Sequence, residues 1–180
     1  MIGKYLKAGI ILLIVLFAIA YVAIRKGPDS FVFAWILNFA LMFGVFLLTN
    51  TFKFALASNY YNSKQWERQG KIYRWFGVDV FRKILVLIGW EKVIRASNPV
   101  KKNLDAIKQL EHGTRQSEFG HLIIFFIVLV INCLVAFYYG IKQSLPLFFL
   151  NIIFNVYPIM LQRYNRPRLQ RALRIKEAIK

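Results

Sequence analysis

The chain alternates between long apolar stretches and polar, basic ones. Ala8 to Ile24 runs without a charge, and Phe31 to Leu48 has Asn38 as its strongly polar interior residue. Leu122 to Tyr139 has only Asn132, and Leu145 to Leu161 carries Asn151, Asn155 and Pro158. A helix needs about 17–25 predominantly apolar residues to cross a hydrocarbon core of about 30 Å. The pattern therefore predicts an all-α membrane protein with about four transmembrane helices, over approximately 8–25, 31–52, 119–139 and 145–161. Ala18-Ile19-Ala20 has the small-x-small form of a signal-peptide cleavage site, but the first run is read here as a span. Gly27-Pro28 stops one helix, and Asp29 or Ser30 can cap the next. The asparagines at 151 and 155 share a helix face, and Pro158 takes away the amide that would bond the Phe154 carbonyl.

Residues 59–117 form a polar, basic middle segment. Within it Gly77 to Trp90 is apolar apart from Asp79, Arg82 and Lys83. It is too short to cross, so an amphipathic or re-entrant helix is expected. Ser97-Asn98-Pro99 reads as a helix start, followed by Val100, Leu104, Ile107 and Leu110 on one face of a cytoplasmic helix. Gly113 is expected to end or bend it. A basic tail occupies 162–180. The whole, 1–180, reads as a single integral membrane domain.

Composition agrees with the pattern: 58% of the 180 residues are hydrophobic and the mean hydropathy is +0.47. The net charge of +17 favours anionic partners, among them phospholipid headgroups, donors bearing phosphates and acidic carrier proteins. The charge lies between membrane segments and no nucleic-acid-binding motif accompanies it, so no nucleic acid is expected. The lone Cys133 permits neither an intrachain disulfide nor a cysteine metal cluster. Of 25 Lys and Arg, all but Arg25, Lys26 and Lys142 fall in the N-terminus, the middle segment with Lys53 just before it, and the tail. The positive-inside rule then puts both termini of a multi-pass cell-membrane protein in the cytoplasm.

Candidate chemistry collects where the middle segment meets the third span, in Thr114-Arg115-Gln116-Ser117-Glu118-Phe119-Gly120-His121. Glu118 and His121, three apart, lie one helical turn from each other. Such a pair can move a proton, bind a metal, or simply mark the membrane surface as solvated end residues. The same topology brings the Arg163–Arg168 cluster to the cytoplasmic face. Asn151 and Asn155 suit either interhelical hydrogen bonds or a polar cavity lining.

The string Asn155-Val156-Tyr157-Pro158-Ile159-Met160-Leu161-Gln162-Arg163-Tyr164-Asn165-Arg166-Pro167-Arg168-Leu169 resembles the C-terminal signature of the glycosyl-4,4′-diaponeurosporenoate acyltransferase family. Thr114, Glu118 and His121 resemble its central motif. A weaker match includes Glu67, Gly70-Lys71 and Trp75-Phe76-Gly77-Val78. The family commonly has an acidic residue just before the Thr; here Gly113 stands there. In carotenoid synthesis the family acylates a sugar hydroxyl of a membrane-bound glycolipid. The resemblance implies a membrane O-acyltransferase that moves a fatty acyl group from a cytoplasmic thioester to a lipid-linked sugar, glycolipid or carotenoid glycoside. It implies His121 as base with Glu118 orienting it, and Thr114, Arg115, Asn155, Arg163, Tyr164, Asn165, Arg166, Arg168 and Lys71 as substrate contacts. The arginines would hold donor phosphates, and Asn155 and Tyr164 a sugar or oxyanion. No metal or cofactor is expected; acyl-CoA or an acyl-carrier protein is a co-substrate. The alternatives are a non-catalytic lipid-binding or assembly protein, a metal-dependent lipid-modifying enzyme using Glu118 and His121, and a small membrane methyltransferase, for which no glycine-rich loop is present.

Overall fold

The computed structural model describes residues 2–89 and 104–178. The expected start at Ser97-Asn98-Pro99 and Trp90, at the end of the expected amphipathic or re-entrant helix, lie outside them. The described residues form α1 (Ile2–Lys26), α2 (Phe31–Phe52), a 3-10 turn at Asn59–Tyr61, further 3-10 turns over Gln65–Arg74, and α3 (Val78–Leu87). These are followed by α4 (Leu104–Tyr139), α5 (Ile141–Asn151), a π turn at Ile152–Val156, and α6 (Tyr157–Ala178). The protein is all-α, and among the described residues four helical runs are long and apolar enough to cross a membrane: α1, α2, α4 and Ile141–Ala178. The chain divides into two compact units, Met1–Ala55 with Phe119–Val156, and Leu56–Glu118 with Tyr157–Lys180.

In the first unit Gly27, at φ +84°, ends α1. Ser30 caps α2: its Oγ accepts from the Phe33 amide at 3.1 Å and donates to the Gly27 carbonyl at 2.8 Å. Gly44 lets α2 come against α1, since a Cβ there would stand 2.8 Å from Val15 Cγ2. Phe33, Ala34, Leu37, Ile124, Val128, Val135, Leu147 and Leu150 make the apolar core. Leu13, Phe17, Phe43, Phe46 and Phe137 face outward and exposed. An apolar exterior around an apolar core is what lipid, rather than water, permits. Before Pro158 the helix loosens into the π turn, a usual companion of an interrupted hydrogen-bond ladder.

In the second unit α6 carries on where the fourth span was expected to end at Leu161. It runs through Pro167 to Ala178, so the basic tail is helical almost throughout. Its buried side chains are Tyr164 and Arg166. Arg68, Gln69 and Gly70 are all left-handed in φ, which turns the chain sharply. At Gly70 a Cβ would lie 3.0 Å from the Arg163 carbonyl oxygen and from Cα and O of Tyr164, so the turn sits directly on the α6 backbone. α3 buries Val78 and stacks Phe81 on Tyr157. Its opposite face, with Val80, Ile84 and Leu87 beside Trp75 and Phe76, is exposed and apolar, as a helix lying at a membrane surface would be. α4 does not stop at Gly113. Arg115 pairs with Glu111 across that position, and the Thr114 hydroxyl donates to the Glu111 carbonyl, so both neighbours hold the turn closed.

Candidate functional site

Four charged side chains meet inside the second unit. Glu67 and Glu118 are 2% and 0% exposed, and Arg166 is 2% exposed. The Arg163 side chain, at 10%, completes the set. Arg163 bridges the two acids: Nε donates to Glu67 Oε1 at 2.5 Å, and one Nη to Glu118 Oε1 at 2.7 Å. Arg166 takes the other oxygen of Glu118 at 2.5 Å. Two positive and two negative charges thus cancel in a largely buried place. Isolated, any one of them would be very costly to bury.

Further hydrogen bonds of this cluster are made internally. Glu67 accepts from the Tyr73 hydroxyl at 2.5 Å and the Lys64 amide at 2.6 Å. Burial pushes its carboxyl up, yet the hydrogen bonds from Arg163, Tyr73 and Lys64 together hold it below the usual glutamate value. The Tyr73 hydroxyl is driven up by burial and by the Glu67 charge. The Tyr60 hydroxyl is also raised, by burial first and then by Glu118. Arg166 donates further to Thr114 Oγ1 at 2.9 Å, the Thr114 carbonyl at 3.1 Å and the Tyr61 carbonyl at 3.0 Å. Arg163 lies over the Tyr60 ring and Arg166 over the Tyr61 ring.

The other residues singled out from the sequence are placed as follows. Thr114 is buried beneath Arg166. Arg115 forks onto Glu111 Oε1 and reaches the Leu56 carbonyl, and Gln170 donates to the same Glu111 oxygen. Tyr164 is buried and gives its hydroxyl hydrogen to Asp79 at 3.1 Å, while Asp79 pairs with Arg74. Arg168 folds back over the Tyr164 ring and onto the Tyr164 carbonyl. Asn165 is half-buried on α6, and Lys71 is exposed next to Gly70. Among the described residues no three His, Cys, Asp or Glu side chains gather as a metal-ion group.

His121 belongs to the first unit. Its Nδ1 is 3.3 Å from Asn155 Oδ1. Asn155 is fully buried. Its amide nitrogen donates to Asn38 Oδ1 at 2.9 Å and to Asn151 Oδ1 at 2.8 Å. Sequence reasoning pairs His121 with Glu118; the side-chain partner observed for the ring is Asn155, and both Glu118 oxygens are held by arginines.

A family model described as glycosyl-4,4'-diaponeurosporenoate acyltransferase matches residues 57–175. The chain belongs to that family. No curated protein and no solved structure matches it. The family is one of acyltransferases in a carotenoid pathway, and the apolar helices associate this member with a membrane. The match takes in the whole Glu67–Arg163–Glu118–Arg166 cluster, and also His121, Asn151 and Asn155. Asn38, on α2, lies outside it.

For this acyltransferase the sequence alone missed three things: the Tyr73 contact to Glu67, the Tyr61 carbonyl under Arg166, and the need for glycine at position 70; an interhelical hydrogen bond was expected of Asn38, and its partner is Asn155. One signal was available for Glu67. A chain with 8 acids and 25 bases has few counter-charges, so an acid beside aromatics in a basic segment is a candidate for burial with arginine.

Proposed function

We propose that the protein transfers a fatty acyl group from a thioester donor, acyl-CoA or an acyl-carrier protein, to a hydroxyl of a lipid-linked sugar or similar glycolipid. The observation that carries this reading is membership of the acyltransferase family over a segment containing both His121 and the 155–169 string. His121 is the base. It takes the proton of the acceptor hydroxyl as the oxygen attacks the thioester carbonyl. The C–O bond forms, the C–S bond breaks, and the thiolate leaves with the proton held by the imidazole. Asn155, not Glu118, orients the ring.

Glu118 and Glu67 neutralise Arg163 and Arg166 and so fix α6. Lys71, Arg168, Arg171 and Arg174, all exposed, are then candidate cations for the donor's phosphates or for an acidic carrier protein. Asn155 has no amide hydrogen left for an oxyanion, because both are taken by Asn38 and Asn151. The protein is further proposed to sit in the cell membrane with both termini in the cytoplasm, on the charge distribution along the chain.

The test is mass spectrometry of host lipids with wild type and His121→Ala. Wild type should yield an acylated glycolipid, and the variant, purified intact in detergent, should yield its unacylated precursor. The same acylated lipid in both would remove His121 from the chemistry. No change in acylated lipids on deleting the protein would leave a lipid-binding protein.

A further inference from the structure

Hydrogen-bond polarity can be followed from two backbone carbonyls to the His121 ring. A carbonyl oxygen only accepts. Asn38 lies 2.9 Å from the Ala34 carbonyl through its Nδ2, so its Oδ1 must point the other way, to Asn155. Asn151 lies 3.1 Å from the Phe125 carbonyl through its Nδ2, so its Oδ1 also points to Asn155. Asn155 therefore meets two acceptors and must turn its amide nitrogen, with both hydrogens, toward them. Reversing it would set oxygen against oxygen twice over. Asn38 and Asn155 are 0% exposed and Asn151 is 3% exposed, so such a mismatch would be buried and costly. The face of Asn155 left for His121 is its oxygen, which needs a hydrogen on Nδ1.

From this we infer that Asn38 and Asn151 are positioning residues that, through Asn155, lock His121 as the Nδ1–H tautomer and leave Nε2 with the lone pair. The inference rests on the proposed role of His121 as base, and it deepens that role: Nε2 is the atom that accepts the hydroxyl proton. A neutral imidazole has one N–H, and here Asn155 Oδ1 takes it. Asn38 acts at two removes from the ring and from a helix beyond the family match.

The experiment is nitrogen NMR of the full chain, labelled with 15N-histidine and reconstituted in lipid nanodiscs near pH 7. The chain has two histidines, and His112→Gln, at an exposed position, leaves one signal set. The expected spectrum has the hydrogen-bearing nitrogen at Nδ1 and a bare Nε2. A bare Nδ1, or an imidazolium with both nitrogens protonated, would overturn the inference. Asn38→Leu with Asn151→Leu frees Asn155 to rotate, so the expected result is a tautomer mixture. A spectrum unchanged from wild type would take the two asparagines out of the account. Should that variant not fold, Asn155→Leu gives the same reading: a ring still wholly Nδ1–H would show that the asparagine chain does not set the tautomer. These spectra do not depend on turnover. Loss of the acyltransferase reading through an active His121→Ala would leave the tautomer result standing, and the reverse also holds.

Discussion

Arg166 is 2% exposed and makes four hydrogen bonds, to Thr114 twice, to Tyr61 and to Glu118. A lysine could not supply that planar fork of donors. A buried pair of this kind gains little over an apolar pair of the same volume, but removing one partner is severe, at about 3–5 kcal/mol. Glu118→Gln keeps the shape and removes the charge that Arg163 and Arg166 share. The expected outcome is a large loss of thermal stability in detergent, accompanied by loss of transfer, whereas His121→Ala loses transfer alone. A Glu118→Gln protein with wild-type melting and no turnover would instead give Glu118 a direct catalytic part. Glu67 allows a test by pH. Its folded carboxyl titrates below the ordinary 4.5, so its contribution is fully present above that value and is lost as pH falls through the folded pKa. Melting temperature followed downward from pH 5 should drop more steeply for wild type than for Glu67→Gln; parallel curves would remove this role. The sequence showed acids and arginines at one level of the membrane. It could not show that they cancel each other, because a solvated glutamate and a buried one look alike until the fold brings Arg163, 96 positions away, to Glu67.

At the level of elements, the apolar runs were legible and the polar continuations were not. α1 and α2 follow from uninterrupted hydrophobic residues, and the Ser30 cap from residue type alone. α6 is different. The apolar pattern stops at Leu161 and Pro167 lies ahead, so the local signal for helix is gone. The helix continues because Tyr164 and Arg166 are buried within the second unit and their bonds hold the following turns. Gly70 is the counterpart of that packing. With φ at +84° and a Cβ position 3.0 Å from the α6 backbone, Gly70→Ala should cost about 1–2 kcal/mol in backbone strain alone, and more from displacing α6. Gly113 gives the contrast: it lies inside α4, and a Cβ there meets nothing within 4 Å. Gly113→Ala should stabilise the protein by about 0.5–1 kcal/mol. The measurement is paired thermal unfolding in one detergent. Equal shifts for the two substitutions would show that Gly70 does not bear on α6.

For the whole molecule, the charge distribution carries the strongest expectation. Arg25, Lys26 and Lys142 are the sole Lys and Arg residues in the two short turns, out of 25 in the chain. Each basic residue near an anionic leaflet contributes about 1 kcal/mol, so an orientation supported by so large an excess should withstand the loss of one or two charges. The division into two compact units was not legible, because α4 belongs in part to each and the sequence gives no break at Glu118 and Phe119. Orientation can be tested without reference to how those units are arranged. Cys133 is the one native cysteine, so Cys133→Ala provides a blank chain. Into it go single cysteines at Asp29 and Gln143, next to the short turns, and at Gln65 and Ala178, in the middle segment and the tail. A membrane-impermeant thiol reagent applied to intact spheroplasts should label the first two positions, and the second two only after permeabilisation. The opposite pattern would put His121 and the basic tail on the face away from cytoplasmic thioesters. The acyl donor proposed here would then have no access, and the orientation and the donor would fall together. With the expected pattern, the remaining question becomes which exposed cation meets the donor. Arg168→Ala and Lys71→Ala then separate a raised donor KM from an unchanged one, on a protein whose buried arginines are intact.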